Sequence, residues 1–337
     1  MYITIAFFHA YIYTAERSLS MRTRLLVSGI ALLAALQGCA FVTVPFVPGT
    51  RPLVENTVQG RGREKILLID IAGVISGESR DSLGGLSQQP DHVARMKEVL
   101  KKAERDSSIK AVVVRINSPG GTVTASDIMY RELVEFKQRR SVPVVACLMD
   151  IAASGGYYIA MAADSVYAHP TTVTGSIGVI ALKFNVKGLL DKVGVVDETI
   201  TSAVLKDSMS PFRGMSAQER AIMQSILDEL HKRFTDVVHS GRQLLDTQQV
   251  AALADGRVFT ATQAHEAGLV DVIGYLDDAI HEAERRAGLR PGSRVVMYHR
   301  PNRYKNNIYS HSSVNLLTIG GDFSGILPFQ FMYLWNP

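Results

Sequence analysis

The sequence predicts an α/β fold built on a mostly parallel β-sheet with flanking helices. Three observations carry that expectation. Continuous apolar runs rich in β-branched residues recur at Ile66–Ile71, Ala111–Ile116 and Val142–Leu148. Strands buried on both faces read this way, whereas half-exposed strands alternate. Helical stripes separate the runs, and a glycine-rich break follows each of the last two.

Taken in order, Lys65 opens the patterned region with the Ile66–Ile71 strand. Asp91–Arg105 follows as a helix, with Val93, Met96, Val99, Leu100 and Ala103 on one face. Ala111–Ile116 is a strand ending in Asn117-Ser118-Pro119-Gly120-Gly121, and Ser126–Gln138 is helical. Val142–Leu148 is a strand ending in Ala152-Ala153-Ser154-Gly155-Gly156, and Ser154 opens a helix. Val166–Ala168 and Ile177–Ala181 are short strands. Ala217–Ser240 is the clearest helix, because Ser216 and Glu219 form a capping box. Its expected buried stripe is Ile222, Met223, Ile226, Leu227, Leu230, Phe234, Val237 and Val238. Ala264–Ala267 and Leu276–Ala287 add two helices. Beyond Arg290 the pattern fades into a polar stretch, Asn302–Ser313, and an aromatic tail, Phe329–Trp335. That tail reads as an interface, a segment filling a groove, or a tail packed on its own domain.

The N-terminal stretch reads differently. Met21-Arg22-Thr23-Arg24 is a basic n-region, Leu25 to Leu36 is apolar, and Leu36-Gln37-Gly38-Cys39 follows. This is the order of a bacterial secretory signal, here with Cys39 as a lipidation site. Met21 is the expected start, with residues 1–20 a mis-assigned extension. The rival reading is a single membrane-spanning anchor, since no charge occurs between Leu25 and Thr50. Both carry the remainder out of the cytosol. The expected organisation is a signal over 1–38, an anchor and linker over 39–62, a catalytic domain over 63–290 and a C-terminal extension over 291–337. The linker expectation rests on Pro45, Pro48, Gly49, Pro52, Gly60 and Gly62.

Composition excludes whole classes. A chain of 337 residues with 47% hydrophobic and 20% charged residues is neither disordered nor polytopic. A net charge of +4 over this length gives no electrostatic footprint for nucleic acid. Two cysteines, Cys39 and Cys147, rule out a disulfide scaffold and a four-cysteine zinc site. Cys147 lies within an apolar strand and reads as a structural thiol.

The glycine breaks are where chemistry can sit, because loops at the carboxyl ends of parallel strands share one edge. The N–H of Gly155 and an N–H from Gly120-Gly121 can aim at one point, the geometry of an oxyanion hole. Packing turns with an N-cap serine are the alternative reading of the same residues. A nucleophilic serine needs a base. Among histidines, His169 precedes a proline at a strand end, while His231 and His239 lie on the long helix. Lys206 is the other option, and a lysine base must be neutral, which requires a partly dry setting. An ordinary surface lysine is equally consistent with its spacing.

Four motifs in order decide between these readings by resemblance: Ser118-Pro119-Gly120-Gly121, Ala153-Ser154-Gly155-Gly156-Tyr157-Tyr158, Thr174-Gly175-Ser176-Ile177-Gly178-Val179, and Lys206-Asp207 with Ser210-Pro211-Phe212-Arg213. Together with Ala254-Asp255-Gly256-Arg257-Val258-Phe259 and Gly268-Leu269-Val270-Asp271, they resemble the signal peptide peptidase A (protease IV) family in its short bacterial form, over about residues 65–290. The resemblance implies a crotonase-like (Clp protease-like) fold and a Ser-Lys peptidase. It implies Ser154 as nucleophile, Lys206 as general base 52 residues later, and Ser176 as the serine that orients the lysine. Gly121 and Gly155, with Gly120 beside them, would supply the oxyanion donors. No metal or organic cofactor is implied. Partners implied are cleaved signal peptides and other unfolded or membrane-derived chains, the membrane through the N-terminal anchor, and further copies in a tetramer or octamer. The implied location is the bacterial envelope, with the catalytic domain on the periplasmic side. A catalytically divergent crotonase-fold envelope scaffold is the alternative.

Overall fold

The structure is a computed structural model and describes residues 52–77, 80–81, 88–89, 92–300, 308 and 331–335. Cys39, the signal and the anchor expectation lie outside the described residues.

Fourteen strands and eight helices are assigned among the described residues. The chain begins with β1 (Val54–Gln59), β2 (Lys65–Ala72) and a two-stranded hairpin, β3 (Arg80–Asp81) with β4 (Gln88–Gln89). Then come α1 (His92–Glu104), β5 (Ile109–Ser118), β6 (Gly120–Thr122), α2 (Val123–Arg140), β7 (Val144–Ala153), α3 (Gly155–Ala160), β8 (Ser165–Ala168), β9 (Val173–Gly175) and β10 (Ile180–Ala181). The second half holds α4 (Lys187–Val193), α5 (Ala217–Gly241), α6 (Thr247–Leu253), β11 (Val258–Thr260), α7 (Ala261–Glu266), β12 (Val272–Ile273), α8 (Leu276–Arg286), β13 (Arg294–His299) and β14 (Phe331–Leu334).

The main sheet runs β1-β13-β2-β5-β7-β8-β12, with β9 beside the end of β7 and β11 beside β9. Pairs from β13 through β12 are parallel, and only β1–β13 and β9–β11 are antiparallel. The fold is therefore α/β with a mostly parallel sheet, as the apolar runs require. Successive side chains point to opposite faces. Leu67, Ile69 and Ile71 thus join Val112, Val114 and Ile116 in a core covered by α1, α2, α3 and the C-terminal half of α5. Ile66, Leu68, Ala111, Val113 and Val145 form a second core under Leu276, Ala279, Ile280 and Ala283 of α8. Cys147 sits in this second core fully buried, and burial pushes its thiol up to about 12. That removes it from chemistry at neutral pH.

One polar pair interrupts the second core. Arg115 bonds Asp70 at 2.8 Å with both side chains fully buried, and Arg115 also donates to the Ile308 carbonyl. Removing one partner of such a pair leaves a buried charge and costs about 3–5 kcal/mol.

The strand expected over Ile177–Ala181 is confined to Ile180–Ala181, and among the elements not expected two shape the main sheet. The linker expected over 40–62 ends in a strand, because β1 is a polar edge strand (Val-Glu-Asn-Thr-Val-Gln) with little alternation to reveal it. The stretch after Arg290, expected to fade, contains β13, four residues of which are buried between β1 and β2. A six-residue strand offers too short a run for periodicity to detect.

Candidate active site

The parallel sheet brings the two glycine breaks to one edge. The β5–β7 ladder pairs Ser118 with Ala152, so Gly120-Gly121 and Ser154-Gly155 emerge side by side. A Cβ added to Gly155 would lie 2.4 Å from Ser126 Oγ and 3.2 Å from Gly121 N. A Cβ added to Gly120, at φ +105°, would lie 2.8 Å from Gly155 N. Both loops need glycine because backbone meets backbone there. Gly121 is fixed from behind: Ile75 N–H donates to Gly120 O at 2.8 Å and Thr122 N–H to Ile75 O at 2.9 Å.

Ser154 ends β7 and caps α3 with φ +51° and ψ −115°. A non-glycine residue in the left-handed region costs on the order of 1–3 kcal/mol and marks a site where the surroundings enforce it. Here Ser154 N–H donates to Gly175 O at 2.7 Å, and Tyr158 N–H donates to Ser154 O at 2.8 Å. The hydroxyl is 1% exposed and has no hydrogen-bond partner among the described residues. A buried hydroxyl without a partner forgoes about 1–3 kcal/mol, so this orphan needs an explanation.

Ser176 stands next to it. The parallel register pairs Ala153 with Gly175, so Ser154 and Ser176 both follow directly on neighbouring strands. Ser176 also has φ +50°, is 7% exposed, and donates its N–H to Arg257 O at 2.8 Å. The β9–β11 pairing that supplies Arg257 explains why the Asp255–Phe259 motif accompanies Ser176.

Lys206 is placed elsewhere. It lies exposed in a series of turns between α4 and α5, and no hydrogen bond or ion pair ties its ammonium to Ser154 or Ser176. Its neighbour is anchored instead. Asp207 takes a bidentate bond from Arg213 (2.7 Å to each oxygen), and Arg213 also bonds Glu219, the capping-box residue of α5. The hydrogen bond from Arg213 holds both carboxyls well below the usual carboxylate range. The Lys206–Arg213 motif is therefore a clasp that fixes the lysine-bearing turn to a helix.

The histidines stay apart from Ser154. His169 Nδ1 bonds Thr171 Oγ1 at 2.8 Å and its ring meets Tyr275 edge-on; His239 Nδ1 bonds the Leu245 carbonyl. His231 Nε2 is buried without a hydrogen-bond partner among the described residues.

A strand lies across this edge. β14 pairs antiparallel with β6 on one side and β10 on the other. Trp335 N–H donates to Pro119 O at 2.9 Å, so Tyr333 and Gly121 form the next hydrogen-bonded pair of the ladder. The Tyr333 carbonyl oxygen lies 2.0 Å from a Cβ built on Gly120 and 3.2 Å from one built on Gly155. A carbonyl thus occupies the point toward which both loops converge.

The expected apolar stripe of α5 is buried only in its C-terminal half, at Phe234, Val237 and Val238. Ile222 is 38% exposed, and Met223 and Leu227 line a cavity of about 460 Å³ with Ala181, Met209 and Met215. The stripe is continuous in sequence because the cleft wall needs apolar residues as much as the core does. Tyr158, Phe234 and the tail were not singled out as site residues.

Comparison with known proteins places this arrangement. The model of peptidase family S49 matches residues 136–290, and that of Clp protease matches residues 85–174. A protein named as a signal peptide peptidase SppA in Enterococcus faecium is 37% identical over 251 residues, 74% of this chain and 72% of its own. Protease 4 of Haemophilus influenzae is 36% identical over 233 residues, 68% of this chain but 36% of the longer relative. The chloroplastic serine protease SPPA of Arabidopsis thaliana is 31% identical over 271 residues, 79% of this chain and 39% of its own.

Proposed function

The chain belongs to peptidase family S49 and is a serine-type peptidase, and on that footing we propose that it is a Ser-Lys endopeptidase with Ser154 as nucleophile and Lys206 as general base. The observation that carries the nucleophile is the buried, unpartnered Ser154 hydroxyl on a left-handed turn beside two converging glycine loops. Neutral Lys206 takes the proton from Ser154 Oγ as it attacks a peptide carbonyl. The oxyanion is held by the N–H groups of Gly121 and Gly155, Gly120 leaving room for it. Lys206 then returns the proton to the leaving amine, and water, deprotonated by the same lysine, frees the acyl group and restores Ser154. Ser176, one strand over, accepts the role of orienting the lysine. No step requires a metal or cofactor.

Lys206 reaches a serine through assembly in this proposal. The segment from 182 to 212 exposes Leu189 (60%), Val196 (78%), Ile200 (97%) and Val204 (85%). An apolar patch of this extent is one that a partner covers. We assign the partner as a second copy, in a ring of four or eight, whose arm brings its Lys206 to this Ser154. The substrates proposed are cleaved signal peptides and other unfolded, membrane-derived chains, bound as an extended strand between β6 and β10 where β14 lies. The proposed setting is the bacterial cell envelope, with the catalytic domain on the periplasmic side and Cys39 lipidated or 25–50 as an anchor. An intact-mass measurement of the mature N-terminus tests that setting. A diacylglycerol adduct on Cys39 supports lipidation, and a chain beginning at Met1 or Met21 contradicts it.

The direct test is casein hydrolysis by the detergent-solubilised chain. Wild type is expected to cleave, and Ser154→Ala and Lys206→Ala each to lose at least about 1,000-fold. Full activity of Lys206→Ala would move the base elsewhere. Activity of Ser154→Ala would remove the nucleophile assignment.

A further inference from the structure

The two proposed oxyanion donors belong to different helices, so their separation has to be held from outside both loops. Gly155 N–H opens α3, and Gly121 N–H lies just ahead of α2. The first N–H groups of a helix have no partner within it, which leaves that of Gly155 free to aim outward. The turn that presents it is strained, since Ser154 sits at φ +51°. Such a turn keeps its shape only where the surroundings enforce it.

Ser126 is the neighbour that closes the gap between the loops. It lies at the end of the first turn of α2 and is fully buried. Its Oγ donates to the Thr122 carbonyl at 3.0 Å. That bond ties the oxygen to the first loop, because Thr122 N–H is itself held by Ile75 O at 2.9 Å. On its other side the oxygen meets the second loop. A Cβ added to Gly155 would overlap Ser126 Oγ, and would lie 3.2 Å from both Gly121 N and the Tyr333 carbonyl oxygen. The Ser126 oxygen, both donor loops and the carbonyl site thus converge on one point. Behind this contact, the Tyr157 hydroxyl donates to Leu269 O at 2.7 Å and ties α3 to the Gly268–Asp271 motif. A shift of α3 therefore pivots about Tyr157 and carries Ser154 and Gly155 toward α2, where Ser126 stands in the way.

Resting on the reading of Ser154 as nucleophile, we infer that Ser126 is a positioning residue for the reaction. Its hydroxyl oxygen is the spacer that sets the Gly155 N–H against the Gly121 N–H at the oxyanion.

A purely local role for this hydroxyl predicts something different. A serine bonding back to the carbonyl four residues earlier is common in helices and slightly destabilising. Thr122, as N-cap, keeps the first helical bond to its carbonyl when the hydroxyl is gone, so Ser126→Ala leaves that carbonyl paired. What the alanine does leave is a gap of one oxygen atom, too small for water. The lining of such a gap forfeits its contacts, and the strained Ser154–Gly155 turn relaxes into it. A misplacement of about 1 Å at a reacting group costs about 100-fold, and loss of a whole oxyanion donor about 100–1,000-fold. Displacing one of two donors without removing it is expected to cost about 10–100-fold. The loss falls on kcat, because these donors bind the oxyanion more strongly than the peptide carbonyl that precedes it.

The test compares wild type with Ser126→Ala, both as the detergent-solubilised full chain, on one peptide cut at a single bond. The variant is expected to lower kcat about 10–100-fold and to keep KM within about twofold. Its melting midpoint is expected within about 2 °C of wild type. Two inhibitors built on the acyl half of that peptide separate positioning from folding. With the peptide aldehyde, Ser154 Oγ bonds the carbonyl carbon, Lys206 takes the hydroxyl proton, and the aldehyde oxygen is left as the oxyanion. The matching peptide alcohol forms no such bond. The aldehyde is expected to bind the variant about 10–100-fold more weakly, and the alcohol within about twofold. A kcat within about threefold of wild type, or an aldehyde bound as tightly as by wild type, would overturn the spacer role and leave the nucleophile reading standing. Equal weakening of both inhibitors, or a melting midpoint lowered by more than about 10 °C, would make Ser126 a packing residue and overturn it as well. Cleavage that survives Ser154→Ala, or no cleavage by wild type, would overturn the nucleophile reading and the spacer with it.

Discussion

The single residue that concentrates the account is Gly120. Its φ of +105° and the Tyr333 carbonyl oxygen 2.0 Å from its missing Cβ mean that any side chain would stand where the proposed oxyanion forms. Gly120→Ala is expected to lose at least about 100-fold in kcat/KM, the scale of losing an oxyanion donor. A kcat/KM within threefold of wild type would show that the carbonyl site is not the reacting one. At the same scale, Arg115→Leu removes the ion-pair partner of buried Asp70 and the donor to the Ile308 carbonyl. It is expected to cost about 3–5 kcal/mol in urea unfolding. At this scale the sequence was informative about glycine and serine, because backbone geometry permits few residue types there. It was silent about the seat of β14: Tyr158 and Phe234 look like ordinary core residues until Tyr333 packs on both.

At the scale of elements, the strongest periodic segments were read within a few residues of their ends. The β2, β5 and β7 strands and the α1, α2, α5 and α8 helices all carry long apolar patterns or caps. Among the elements that were missed, β1 and β13 are short and joined across a wide separation in sequence, so their pairing is decided by tertiary contact. The α5 stripe shows the opposite limit: periodicity reports an apolar face without saying whether core, cleft or partner covers it. The clasp that joins the Lys206 turn to α5 makes an element-level prediction. Arg213 holds the Asp207 and Glu219 carboxyls below their ordinary range, so their contribution is present above the ordinary carboxylate range and is lost as pH falls through the depressed values. Arg213→Gln is expected to lower kcat at least about 10-fold through the displaced lysine turn. The same variant is expected to reduce the acid-side loss of α5 helicity below about pH 4, read by circular dichroism, the Ser216 N–H still bonding the Glu219 carboxylate. An unchanged kcat would separate the clasp from catalysis.

At the scale of the whole molecule, one chain holds Ser154, Ser176 and the glycine loops together but leaves Lys206 on an exposed apolar arm. The sequence order of the motifs pointed to the dyad, and it carried no information on which copy supplies each member. If the arm completes a neighbour's site, two inactive chains can repair each other. The measurement that tests this most directly is casein hydrolysis by co-expressed Ser154→Ala and Lys206→Ala chains. Each variant alone is expected to be inactive, and random assortment of the two is expected to restore about a quarter of wild-type activity, since a site then draws its serine from one chain and its lysine from the other. Activity of the mixture no greater than that of the variants alone would contradict the shared Ser154–Lys206 site.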